Sequence, residues 1–164
     1  MSVGSYVLTQ FTDSEKLLPA VAAIKQCKEV VRWNAVDGHV QLIMKIKPES
    51  SEMPEAIKEL AGVEEMMNYF IQHDGENGTT LDHSLSHAYV FIETEAGKRE
   101  AVITLLKQID AVVFCSQLTG GCDIVVVVKG NDFETVDKLI NGRIRMIDGI
   151  TRFKKNHVIE LEGL

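Results

Sequence analysis

Leu118-Thr119-Gly120-Gly121-Cys122-Asp123 is the one segment whose residue types and spacing point to chemistry. Paired glycines let a tight turn bring backbone N–H groups to a surface without side-chain screening. Asp123, two residues past them, adds a carboxylate beside those donors. Donors for a carboxylate and an acceptor for an ammonium, held together, suit a free amino acid. A plainer alternative stands beside this one. Glycines serve hairpins by reaching φ > 0, and an aspartate near a turn bonds local backbone. Short motifs have low specificity by themselves.

Other reactive residue types are scattered. His83 and His87 are four apart, which on a helix would face one way and suit a metal, but no carboxylate or thiol cluster joins them in sequence. His39 reads as an exposed turn residue. Cys115 and Cys122 flank the glycine turn; across a two-residue turn they would be diagonal neighbours, a redox pair or two small buried hydrophobes. Arg32 and Trp33 read as rim and packing. Arg143, Arg145, Arg152, Lys154 and Lys155 form a basic cluster, either a solvated face or an anion site. No nucleophile and no matched acid–base pair is nominated, so no catalytic residue, metal or cofactor is expected.

The elements that must hold the turn come twice. Val30 to Lys47 returns as Val112 to Lys129, with apolar positions, the glycine and the closing lysine in line. Tyr6-Val7-Leu8 answers Tyr89-Val90-Phe91, and Gly62-Val63 answers Gly149-Ile150. A repeat this long means two copies of one supersecondary unit. In the first copy the pattern predicts strands over 6–11, 30–36, 39–46 and 63–72 and helices after Thr12 and over 53–60. Thr12 and Glu15 have capping-box spacing. Asp37-Gly38 signals a hairpin, and Pro48-Glu49-Ser50-Ser51 a break before a helix started by Ser51. In the second copy strands are predicted over 88–94, 111–118, 122–129 and 150–161. Helices are predicted over 98–109 and from 132 to about 146, capped by Asn131 or Asp132. This last helix should exceed its counterpart, because the second copy is longer before Gly149. Residues 74–87 are polar and aperiodic, and read as a linker between repeats at 1–73 and 88–164.

Each β-α-β-β-α-β copy implies a ferredoxin-like antiparallel sheet with both helices on one face. Ile124 to Val128 is apolar on both sides, so both sheet faces should be covered. The expected fold class is α+β: tandem ferredoxin-like βαββαβ repeats forming an intrachain dimeric α/β barrel. The chain has 164 residues and a net charge of −7, against a chain that grips phosphates by itself. Met1 to Phe11 lacks a secretory pattern, no apolar run is long enough to span a membrane, and an odd set of three cysteines fits a reducing cytoplasm.

From Ala88 to Leu161 the chain resembles the effector-binding domain of the Lrp/AsnC (feast/famine) regulators. The resemblance is carried by Ala88-Tyr89-Val90-Phe91-Ile92-Glu93-Thr94-Glu95-Ala96-Gly97-Lys98, Val112-Val113, Thr119-Gly120-Gly121-Cys122-Asp123 and Ile147-Asp148-Gly149-Ile150-Thr151. The first copy resembles the same domain more faintly. There Asp37 stands for the threonine and Gln41 for the aspartate of the T-G-x-x-D hairpin. The resemblance implies a domain sensing small molecules, often amino acids, with the hairpin lining the effector site and subunits joined as oligomers. It nominates Leu118, Thr119, Gly120, Gly121 and Asp123 for the ligand, with Asp37, Gly38, His39 and Gln41 as the first-copy counterparts. A neutral Gln41 would hold an ammonium less strongly than a carboxylate.

The usual members carry a helix-turn-helix. Here a strand is expected at Tyr6, so direct DNA reading is not. The expected protein is a stand-alone effector-binding regulator, cytoplasmic, contacting no membrane, acting in transcription regulation through a protein partner or homo-oligomerisation. The alternative is a dimeric α/β-barrel enzyme, either cofactor-free monooxygenase-like or sirohaem-decarboxylase-like.

Overall fold

The computed structural model describes residues 4–47, 53–76 and 80–161. They fall into two compact units, one within Met1–Ile71 and Ile159–Leu164 and the other within Gln72–Val158. The expected break at Pro48-Glu49-Ser50-Ser51 and part of the expected linker, Asn77-Gly78-Thr79, lie outside the described residues.

The first unit is built from β1 (Ser5–Phe11), α1 (Leu17–Ile24), β2 (Val30–Val36), β3 (Leu42–Ile46), α2 (Glu55–Lys58) and all of β4 (Val63–His73) but its last two residues, Gln72 and His73, which belong to the second unit. The strands pair antiparallel in the order β4-β1-β3-β2. Val7, Leu42, Met44 and Ile46 from the sheet meet Ala20, Val21, Ile24 and Ile57 from the helices. Thr12 does not cap the first helix. Its hydroxyl donates to Gly62 O, and Asp13 takes the cap by accepting from Glu15 N, so a 3₁₀ turn at Ser14–Lys16 precedes α1. A capping box spaced from Thr12 fails because that hydroxyl is drawn to the loop before β4.

The second unit repeats the plan with β5 (Ser86–Thr94), α3 (Arg99–Lys107), β6 (Val112–Thr119), β7 (Ile124–Gly130), α4 (Phe133–Leu139) and all but the last residue of β8 (Ile150–Ile159). The strand order is β8-β5-β7-β6, all antiparallel. Ile124, Val126 and Val128 pack with Val102, Leu106, Val136 and Ile140 on the helix side. Val125 and Val127, on the opposite face, are also fully buried, as the unbroken apolar run requires. Each buried valine contributes about 1.5–3 kcal/mol. Asp132, rather than Asn131, caps α4 by accepting from Thr135 N. α4 gives way at Ile140–Ile144 to a π-helical segment, so the predicted long helix is present but not uniformly α-helical. It still exceeds α2, which has four residues.

The stretch 74–87 is not a free linker throughout. Gly75 N–H donates to Ser116 Oγ at 3.0 Å, and Glu76 is buried. β5 begins at Ser86, so His87 is a buried strand residue while His83 lies in an exposed turn. The helical geometry that would aim both at one metal is absent. Among the described residues no group of three His, Cys, Asp or Glu is placed to hold an ion, and no helix is long and apolar enough to cross a membrane.

The basic cluster is partly neutralised. Arg152 pairs with Glu93, and Lys155 Nζ and His157 Nε2 both reach Asp137 Oδ1, at 2.9 and 2.7 Å. Burial would raise the Asp137 carboxyl, but the hydrogen bonds from His157 and Lys155 together outweigh it and hold it below its usual value. A lowered carboxyl stabilises the fold above the unfolded-state pKa of about 3.9, and that stability is lost as pH falls through the lower folded value. Thermal melts from pH 7 down to about 3 should therefore show a midpoint loss at the acid end. Asp137→Asn should flatten part of it, and an unchanged acid slope would remove Asp137 from the account.

Cys115 and Cys122 are not diagonal neighbours. Cys115 faces Val126, and Cys122 lies in the turn with its thiol donating to Ile92 O. Burial pushes both thiols up to about 11. Thiolates are the reactive form, so in the folded protein at about pH 8 only the half-buried Cys27 should label rapidly with a disulfide reagent. Three rapidly reacting thiols would contradict the placement.

Candidate functional site

Both glycine turns are four-residue loops, closed by Val36 N–H to Gln41 O and Leu118 N–H to Asp123 O. They are longer than a two-residue turn because the first residue of each return arm is held elsewhere. Gln41 N–H donates to Thr9 O at 3.0 Å, and Asp123 N–H to Ile92 O at 2.9 Å. Gly38, Gly120 and Gly121 have φ of +102°, +101° and +122°, which side-chain-bearing residues rarely adopt.

A second pair of bonds repeats across the copies. β1 and β5 each carry a register shift at their ends, between Gln10 and Phe11 and between Glu93 and Thr94. At that bulge Phe11 N–H donates to Gln41 Oε1 at 2.8 Å, and Thr94 N–H to Asp123 Oδ2 at 2.7 Å. Thr94 Oγ1 adds a third contact at 3.2 Å. Asp123 thus ties the hairpin to the strand end, a distant partner rather than the local backbone. Gln41 does the same with a neutral amide.

Asp123 also lines a cavity of about 320 Å³ with Thr94, Glu95, Ala96, Gly97, Arg99 and Glu100. The volume is within the range of small-ligand pockets, about 300–1,000 Å³. Arg99 comes from the first residue of α3, where no side chain caps the helix. Its Nη1 donates to Gln72 Oε1, and its Nε lies 3.9 Å from Glu100 Oε1. The cavity therefore holds a guanidinium and a helix N-terminus, both suited to an anion, beside a carboxylate suited to a cation.

The other nominated residues sit differently. Leu118 is fully buried, with its N–H spent on the hairpin bond. Thr119, Gly120 and Gly121 are exposed in the turn and do not line this cavity. In the first copy Asp37, Gly38 and His39 are exposed. His39 Nε2 meets Glu65 Oε2 at 3.2 Å, and Gln41 Nε2 donates to His39 O. Sequence reasoning missed Arg99, Glu95 and Glu100, which are close to Asp123 only because β5 ends where the hairpin returns.

Residues 87–161 match the family model of the Lrp/AsnC ligand binding domain. Among solved structures the chain is similar to the siroheme decarboxylase NirDL, at 13% identity and a TM-score of 0.76, over 95% of this chain and 71% of that one. It is also similar to a protein of Lactobacillus acidophilus NCFM described as a candidate monooxygenase, at 8% identity and a TM-score of 0.55, over 94% and 91%. E. coli AsnC matches at 17% identity and a TM-score of 0.45, over 53% of this chain and 63% of that one. No curated protein matches. At these identities the first two likenesses show the fold alone, an α+β chain of two tandem ferredoxin-like repeats.

Proposed function

We propose, from a second unit that matches the family model of the Lrp/AsnC ligand binding domain, that the chain is a stand-alone small-molecule effector-binding protein. It takes an amino acid at the start of α3, works in the cytoplasm, and acts by assembling with itself or docking a protein partner, without reading DNA. One observation carries the reading: Asp123 and Arg99 line the same cavity. The ligand's ammonium meets Asp123, and its carboxylate meets the Arg99 guanidinium and the N–H groups opening α3. The glycine hairpin positions Asp123 rather than gripping the ligand with its own turn.

The first copy supports the assignment by contrast. Thr12 N–H and Glu95 N–H make matching bonds to Gly62 O and Gly149 O, which aligns Asp13 with Ala96. Asp13 therefore places the protein's own carboxylate at the start of the first helix, where Ala96 leaves room in the second. Thermal-shift screening against the common amino acids tests the reading. A stabilising ligand whose effect disappears in Arg99→Gln is expected; no shift for any of them would sink it.

Likeness to a siroheme decarboxylase over 95% of the chain favours one rival, an enzyme with a bound chromophore. An absorption spectrum of the protein as purified separates the two, since a Soret band would favour the enzyme.

A further inference from the structure

The charges around the cavity do not balance. Glu95, Glu100 and Asp123 line it with Arg99. Lys98 Nζ is shared between Glu95 Oε2 at 3.3 Å and Asp148 Oδ2 at 3.0 Å. Four carboxylates thus surround two cations, an excess of two negative charges. An ordinary amino acid, being a zwitterion, would leave that excess unchanged.

The first copy has none of the four lining charges. Lys16 packs on Gly62 as Lys98 packs on Gly149, so Leu17 and Leu18 hold the places of Arg99 and Glu100. Thr12 stands for Glu95, and Gln41 for Asp123. The two copies share backbone bonds at this corner, so the fold does not require the charges. These four charges belong to the second copy alone.

We propose that this cavity selects amino acids bearing a second cation, a diamino or guanidino acid, over neutral ones. The inference rests on the amino-acid reading above. The zwitterion occupies Arg99 and Asp123, and the side-chain cation lies between Glu95 and Glu100, offsetting part of the surplus. Both glutamates are exposed, at 58% and 76% of their side chains, so the preference is modest. Exposed ion pairs of this kind correspond to about a twofold to fivefold gain in affinity at low salt. The gain fades as added salt screens it.

Titration calorimetry of the full chain, comparing lysine with norleucine and arginine with citrulline, tests this against nearly isosteric partners. Lysine and arginine should bind about twofold to fivefold tighter than their neutral counterparts. The ratio should fall towards one in about 0.5 M salt and in the Glu95→Gln, Glu100→Gln double variant. Equal affinities in the parent protein overturn the selectivity while leaving the amino-acid site standing. Binding by none of the four, nor by any other amino acid, overturns both.

Discussion

Asp123→Asn melts within about 2 °C of the parent protein yet binds its amino acid at least about tenfold more weakly, whereas Asp123→Ala also melts roughly 2–10 °C lower. The separation follows from the two tasks this side chain is given. Its Oδ2 accepts from Thr94 N–H and Oγ1. An asparagine oxygen can accept the same bonds, and Gln41 already holds Phe11 N–H with an amide. Alanine removes the acceptor and leaves a half-buried N–H without a partner, at about 1–3 kcal/mol. The charge matters only to a cationic ligand, since a neutral amide is the weaker acceptor for an ammonium. Melting curves and titrations on the two variants decide the matter. Equal stability losses would mean the carboxylate's charge, not its hydrogen bonds, holds the corner. Undiminished binding by Asp123→Asn would remove Asp123 from the ligand site.

Gly75→Ala has the largest expected effect on stability. A Cβ there would stand 1.9 Å from Cys115 O and 3.0 Å from Cys115 C, atoms of a strand backbone that cannot rotate aside. The segment must lift, which breaks the bond from Gly75 N–H to the fully buried Ser116 Oγ and uncovers Glu76. Overpacking together with an orphaned buried hydroxyl costs on the order of 2–4 kcal/mol. That lowers the melting midpoint by roughly 5–15 °C. Ser116→Ala, which removes the bond without the clash, should fall by less. A Gly75→Ala midpoint matching the parent's would show that residues 74–76 do not pack on β6 in solution.

Much of this was legible because the sequence repeats. The apolar run at Ile124–Val128 foretold a strand buried on both faces, and the aligned glycines foretold two equivalent turns. The alignment of Asp123 with Gln41 was visible as well. What each one holds was not. Thr94 and Phe11 lie 29 and 30 residues away along the chain, and their N–H groups meet the hairpin only because a bulge ends the strand there. Arg99 was hidden for the same reason: nothing in its neighbours marks a helix start that faces a hairpin more than twenty residues downstream. Local signals misled where a distant partner competed. Thr12 looked like a cap until Gly62 O claimed its hydroxyl. Gly75 looked like a flexible-linker residue, although its missing Cβ is what allows the chain to lie against Cys115.

The matched bonds at Phe11 and Thr94 make each molecule its own control. Both amides donate to a side-chain oxygen at nearly the same distance and at the same bulge. One acceptor is an amide oxygen and the other a carboxylate oxygen. In a nuclear magnetic resonance titration the Thr94 amide would report events at the acidic corner, while the Phe11 amide would register changes in temperature, buffer and salt common to both. Subtracting one from the other isolates ligand binding at Asp123 within a single sample.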